Sequence, residues 1–171
     1  FEHQALRTPD HQIRLLHFLR DDQLGLIFQL EAYNVREAPP YAAISYTWGE
    51  PGRVQNIVIN DDRLEVGQNA HYALWQATVA SRGRDVEHYW IDSVCIDQSN
   101  LREKSHQVGM MGRIYSGAAL VYACVGQHSG TSRSLVHAFD VSSMRDDIIR
   151  AMIDLGQRAY WSRLWIIQEL I

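Results

Sequence analysis

The sequence predicts an α/β domain: a mainly parallel, doubly wound sheet flanked by helices, with β-hairpins added at its N-terminal end. Three observations carry this. From residue 69 onward the apolar patterns alternate as helix, strand, helix, strand, helix, helix, the order of a sheet wound by crossover connections. The run at 119–125 is apolar on both alternating faces, as a central parallel strand must be. Ahead of residue 69, short apolar runs are separated by Asp- and Gly-containing turns rather than by helices.

Residues 13–19 and 26–33 read as two strands around a turn of Asp21, Asp22 and Gly25. Pro39 and Pro40 break the chain before a strand at 41–48, which Gly49 and Pro51 end. Residues 56–60 and 63–66 flank Asp61 and Asp62 as a second hairpin. A helix over 69–82 follows, with Asn69 as N-cap, a stripe of Ala70, Ala73, Leu74 and Ala77, and Gly83 as its stop. Residues 89–96 form the next strand, with Asp92 inside it. Asn100 and Glu103 have the spacing of a capping box for a helix to about residue 116, with Val108, Met111, Tyr115 and Ala118 inward. After the strand at 119–125, a helix from Ser143 to Gly156 turns Ile148, Ile149, Met152 and Ile153 inward, and a last helix starts near Ser162.

Composition narrows the function. The 171 residues make one domain, and Ile171 falls within an apolar helical pattern, so the chain reads as a piece of a longer protein. Its 16 basic and 20 acidic residues give a net charge of −4, against a general nucleic-acid binder. All basic residues except Lys104 are Arg, which suits bidentate recognition of carboxylate or phosphate. No run has the length of a membrane span and no signal-peptide core opens the chain. Cys95 and Cys124 lie in apolar runs without disulfide or metal spacing, as expected of buried thiols in a reducing, cytoplasmic compartment. The eight histidines show no ligand spacing, so no metal is expected. A phosphate-binding glycine loop and a serine-hydrolase elbow are both missing from the pattern.

In a wound sheet, ligands bind beyond the carboxyl ends of the strands. If the strands are neighbours, segments 45–49, 92–98 and 126–128 converge there. Ser45, Tyr46, Thr47 and Trp48 offer two hydroxyls and two aromatic rings, and Gly49 lets the backbone approach a ligand. Read alone, this stretch is equally a strand with a tight turn and Trp48 a core ring. Asp92 is either an Arg-paired structural acid or part of a polar site. Asp97, Gln98 and Asn100 follow as loop and cap residues.

Taken together, three stretches resemble the blocks of the fungal heterokaryon-incompatibility (HET) domain, in the same order. They are YAAISYTWGEP, YWIDSVCIDQSNLREKSHQVGMMGRIYSGAALVYACVG and RAYWSRLWIIQEL. Asp97 stands where that family usually has Asn, and Ile44 where it has Leu. HET domains bear a more distant resemblance to TIR domains, whose sheet is flavodoxin-like. AISYTWG is similar to the strand end that opens many TIR domains, and NDDRLEVGQN to a TIR stretch with Asp-Asp and Leu at like spacing. Enzymatic TIR domains place Ser-x-x-Trp-Cys-x-x-Glu-Leu at a helix start; here Ser162, Trp165, Ile166, Glu169 and Leu170 occupy those positions. Four residues separate Trp165 from Glu169, so on a helix they share one face.

What the resemblance implies is cleavage of the nicotinamide–ribose bond of NAD⁺ by a cell-death domain of fungal allorecognition, activated by self-association. NAD⁺ is then the substrate, and no resident cofactor, nucleic acid or membrane partner is implied. Glu169 becomes the catalytic carboxylate, since departure of nicotinamide leaves an oxocarbenium-like ribose that a carboxylate stabilises. Ser45, Tyr46, Thr47, Trp48, Gly49, Asp92, Gln98 and Trp165 become substrate-binding residues, and Arg102 or Arg113 the cation for the diphosphate. Two other readings stand beside it: a non-enzymatic homotypic signalling module, and a nucleotide-binding sensor without turnover.

Overall fold

The structure is a computed structural model and describes residues 1–127 and 145–163, with only the backbone at 145–148 and 151. Seven strands, β1 (Gln12–Asp22), β2 (Gly25–Asn34), β3 (Tyr41–Tyr46), β4 (Val54–Ile59), β5 (Asp62–Gly67), β6 (His88–Trp90) and β7 (Leu120–Cys124), form one sheet. Their order is β5-β4-β2-β1-β6-β3-β7. The pairs β1–β2, β1–β6 and β4–β5 are antiparallel, whereas β2–β4, β3–β6 and β3–β7 are parallel. The sheet is therefore mixed rather than mainly parallel. The reason is β1, which lies between β2 and β6 and runs against both. Parallel pairing is found in the block β6-β3-β7 and between β2 and β4.

Within that block β3, not β7, is the central strand. Every residue of β3 is buried, while β7 alternates half-buried and exposed positions at the edge of the described sheet. Ile44, Trp90, Ile13, Leu15 and Leu16 lie in the core below it.

Helix α1 (Gln68–Ala80) follows directly from β5 and buries the predicted stripe of Ala70, Ala73, Leu74 and Ala77. Three alanines in that stripe bring the helix close to the sheet. Its N-cap is Gly67, with no side-chain cap bond, rather than Asn69. Because the helix starts directly after the strand, Asn69 falls within its first turn, and its Nδ2 donates to the Thr47 carbonyl at 3.0 Å. Gly83, with φ +78°, turns the chain beyond the C-terminus.

The predicted strand at 89–96 divides. β6 stops at Trp90, and Asp92–Cys95 is one helical turn, α2. Asp92 initiates it by accepting the Ser93 N–H on Oδ1 at 2.7 Å, a local bond that competes with strand continuation. Cys95 thus sits in a turn, fully buried, where burial pushes its thiol up to about 12.

Helix α3 (Leu101–Gly117) has the predicted cap: the Asn100 side chain accepts from Glu103 N–H. Its buried face is Glu103, Gln107, Met110, Met111, Ile114 and Tyr115. Val108 and Ala118 only border the core, so two polar residues share the inward stripe instead. Helix α4 (Arg145–Gly156) ends at Gly156 as expected, but Ile149, Met152 and Ile153 are 49%, 63% and 53% exposed rather than inward. The end of α4 is attached to the sheet through polar bonds of Arg158, described below. A 3-10 turn (Ala159–Ser162) follows. The predicted last helix does not begin at Ser162, which ends that turn with Arg163 extended after it; the rest of the predicted helix, and the start of α4 at Ser143, lie outside the described residues.

Candidate functional site at the carboxyl ends of the parallel strands

β3 and β7 pair in parallel up to Tyr46 and Cys124, and β6 runs beside β3 on its other side. Their carboxyl ends therefore open on one edge, and segments 45–49, 92–98 and 125–127 gather there.

Ser45 is fully buried and its Oγ lies 2.6 Å from the Tyr160 hydroxyl. Arg163 Nη1 donates to the same Oγ at 2.9 Å, and the guanidinium stands 5.4 Å from the centre of the Tyr160 ring. Tyr46, next along β3, is buried; burial first, and then the Asp92 charge, hold its phenol well above the ordinary tyrosine value, with Ser93 and Arg163 acting in the opposite direction. Thr47 contributes its carbonyl to Asn69.

Trp48 is 51% exposed, which decides against a core ring. Its indole Nε1 donates to Asp92 Oδ2 at 2.9 Å. One bond at the ring edge sets the indole plane and leaves a broad apolar face outside the core. Asp92 is half-buried, with one carboxylate oxygen on the indole and the other on the Ser93 amide. Gln98 closes the turn by donating from Nε2 to the Asp92 carbonyl at 2.9 Å, and its Oε1 is buried without a donor among the described residues.

Gly49 has φ +86°, and a Cβ there would stand 2.7 Å from Asn69 Nδ2. The close approach that requires glycine is thus to Asn69 and not to a ligand. A cavity of about 290 Å³ opens beside it, lined by Trp48, Gly49, Glu50, Arg53, Gln68 and Asn69. That volume is near the lower end for small-molecule sites. A larger hollow of about 770 Å³ lies by the N-terminal segment, lined by residues including Gln4, Arg14, Glu31 and Asn60, away from the strand ends.

On the β7 side, Arg158 Nη1 donates to the carbonyls of Val125 at 3.3 Å and Gln127 at 3.0 Å, and Nη2 to Asp154 Oδ2 at 3.2 Å. Gly126 has φ +103°, and a Cβ there would be 3.8 Å from that guanidinium. His128, Trp165, Gln168 and Glu169 lie outside the described residues. Arg102 and Arg113 are exposed on α3; Arg158 and Arg163 are the arginines bonded at the ends of β7 and β3.

Sequence reasoning missed a second set of residues, which support the turn carrying Asp92 and Gln98. Arg14 and Glu103 form a bidentate ion pair at 2.6 and 2.9 Å, with side chains only 3% and 2% exposed. Arg14 Nη1 also donates to the Cys95 carbonyl at 3.1 Å, and Glu103 Oε1 accepts the Asp97 N–H at 3.0 Å. Burial alone would raise the Glu103 carboxyl; the Arg14 bond and charge, with the Asp97 amide, bring it below the ordinary value. Gln107 Nε2 joins α3 to the Pro9 and Gln12 carbonyls at 2.6 and 2.7 Å. The available signal was Glu103 and Gln107 in register with Met111 and Ile114 on a helix.

These features define an α/β domain with a mixed sheet and a polar site at the carboxyl ends of the parallel strands β6, β3 and β7. The sequence profile of the heterokaryon incompatibility protein (HET) family matches residues 41–169, and the chain belongs to that family. It is 27% identical over 176 residues to heterokaryon incompatibility protein 6, OR allele, of Neurospora crassa, covering 94% of this chain and 25% of that protein. It is 30% identical over 164 residues to vegetative incompatibility protein HET-E-1 of Podospora anserina, covering 91% of this chain and 11% of that protein. The chain therefore spans a quarter or less of the length of these relatives. No solved structure matches it.

Proposed function

We propose that this chain is the effector domain of a fungal incompatibility protein, and that it hydrolyses the nicotinamide–ribose bond of NAD⁺ in the cytoplasm. The observation that supports this best is the meeting of Trp48–Asp92 with Ser45–Arg163 at the strand ends. It joins a fixed aromatic face to a phosphate-binding type of cation. Covalent reach supports Glu169 as the catalytic carboxylate. Arg163 is anchored on Ser45, and six residues of chain span at most roughly 20 Å. In this reaction the C1′–N bond breaks and its electron pair passes to the pyridine nitrogen, which leaves as neutral nicotinamide. The carboxylate offsets the positive charge developing on the ribose. Water then adds to C1′ and gives up a proton, leaving ADP-ribose.

The test is nicotinamide release from NAD⁺ by the concentrated chain. Release by the wild type and its loss in Glu169→Ala is the expected result; equal turnover by both proteins refutes the assignment. A second reading, a homotypic signalling module without turnover, is favoured by the exposed Ile149, Met152 and Ile153 on α4, an apolar stripe of the kind that mediates association. Toxicity that survives Glu169→Gln with cellular NAD⁺ unchanged is the outcome that selects it. Self-association at this stripe is compatible with both readings, and NAD⁺ binding without product selects the sensor reading.

A further inference from the structure

Two parts of the sheet meet at a short junction. β6 has three residues and lies between β1 and β3. It pairs with β3 from Tyr41–His88 to Ala43–Trp90. Its pairing with β1 is Leu16–Tyr89 and His17–His88, followed by a bond from the Phe18 N–H to the Glu87 carbonyl at 3.2 Å. Strands β5, β4, β2 and β1 join the parallel block β6-β3-β7 here.

His17 and His88 stand directly opposite each other across this junction, both half-buried, with ring centroids 4.9 Å apart. His17 Nε2 lies 3.9 Å from Glu87 Oε2. From β2, Tyr33 stands edge-on to His88 with ring centroids 6.0 Å apart. Its hydroxyl donates to Glu31 Oε2 at 2.7 Å, and Gln29 Nε2 donates to Glu31 Oε1 at 2.8 Å. From β3, Tyr41 is paired with His88 in register, is buried, and donates to the Ile114 carbonyl.

We infer that the His17–His88 pair is a proton-operated latch: neutral, it holds β1 against β6, and doubly protonated, it opens the junction. The latch stands on the sheet alone and is independent of the reaction proposed above. One proton on the pair has the Glu87 carboxylate nearby. A second has no uncommitted carboxylate, because both Glu31 oxygens are engaged by neutral donors. Tyr33 and Tyr41, raised to about 12 chiefly by burial, bring no charge of their own. Two imidazolium rings then oppose each other across a ladder of two residue pairs, and like charges directly opposite destabilise such pairing. The protons go on in two steps that belong to the pair.

The direction of titration agrees with this geometry. Burial first, and then the His17 charge, hold His88 below the ordinary histidine value of 6.5, against the opposite pull of Glu87 and Glu31. The opened chain therefore takes the proton first as pH falls. The closed junction is fully favoured above 6.5 and gives way as pH drops through the folded value. β6 runs through Ile91 into α2, so opening reaches the turn that carries Asp92 and Gln98.

The experiment is amide hydrogen–deuterium exchange of the 171-residue chain at about pH 7.5 and about pH 5, read on peptic fragments and corrected for the intrinsic pH dependence of exchange. Glu103, which titrates below 4.5, keeps its charge at both. On going to the lower pH, fragments covering 14–19 and 86–91 lose about tenfold more protection than the fragment covering α3, the scale set by two unit charges about 5 Å apart near a protein surface. His71 on α1 is also held low by burial and weakens the whole domain in acid, so the ratio between fragments is the readout. His17→Gln and His88→Gln each leave at most one charge and abolish the excess loss; either carries the test if the other does not fold. Equal loss in all fragments, no loss, or the same excess loss in both variants overturns the latch.

Discussion

Glu103→Gln tests the buried network that supports the site. Both Glu103 oxygens are committed: Oε1 to Arg14 and the Asp97 amide, Oε2 to Arg14. The substitution keeps shape and volume but removes the charge opposite a guanidinium that is 3% exposed. Removing one partner of a buried pair typically costs about 3–5 kcal/mol, because the other charge stays desolvated and uncompensated. The amide nitrogen of Gln is a donor facing Arg14 or Asp97 N–H, also donors, so at least one bond is lost in either orientation. For a domain of this size each kcal/mol lowers the melting temperature by roughly 2–4 °C, giving a predicted fall of about 6–20 °C.

The assay is urea and thermal unfolding followed by tryptophan fluorescence, at neutral and acid pH. Because the folded Glu103 carboxyl titrates below the ordinary glutamate value of 4.5, the unfolded chain binds its proton first as pH falls. The pair's stabilisation is complete above that value and is lost as pH drops through the folded one. Wild type therefore loses this component in acid, and Glu103→Gln, which has already lost it, shows a shallower acid dependence. A loss under about 1 kcal/mol at pH 7, with an unchanged acid slope, refutes the view that this pair holds the 92–98 turn.

Two further outcomes follow from the strand end. Gly49→Ala meets both a positive φ and a 2.7 Å contact with Asn69, so it lowers stability by about 1–2 kcal/mol or more. Adding Asn69→Ala relieves the contact but not the φ, so thermal melts show partial recovery; full recovery refutes the backbone part. Tyr33 and Tyr41 are raised to about 12 by burial, Tyr33 also by Glu31, and Tyr46 is raised further. Above pH 10 the unfolded chain ionises these phenols first, so stability falls as pH rises from there. Ionisation of all eight tyrosines in the ordinary phenol range while the fold persists, followed by tyrosinate absorbance, refutes this.

Local pattern made several elements legible. The alanine stripe of α1 and the Asn100 cap of α3 are encoded within a turn or two of chain, and the structure has both. The same local reading failed where a neighbouring bond competed with periodicity. Asp92 accepts its neighbour's amide and ends β6 early, a choice that apolar flanking residues conceal. Asn69 has the side chain of a cap but lies beyond the helix start and serves Thr47.

By itself, then, the sequence determined the α/β class, the HET family, the helices placed at 69–82 and from Asn100 to about 116, and the three segments that gather at the strand ends. Periodicity, caps and motif spacing act over a few residues, so they can be read along the chain. Only the tertiary structure decided that β1 lies antiparallel inside the sheet, that β3 rather than β7 is central, and that Trp48 faces outward. It alone chose the partners: Arg14 for Glu103, 89 residues away, and Arg163 for Ser45, 118 residues away. Fifteen arginines and twenty carboxylates in the sequence allow many such pairs. Burial selects among them, because a charge removed from water persists only where the fold brings it a partner.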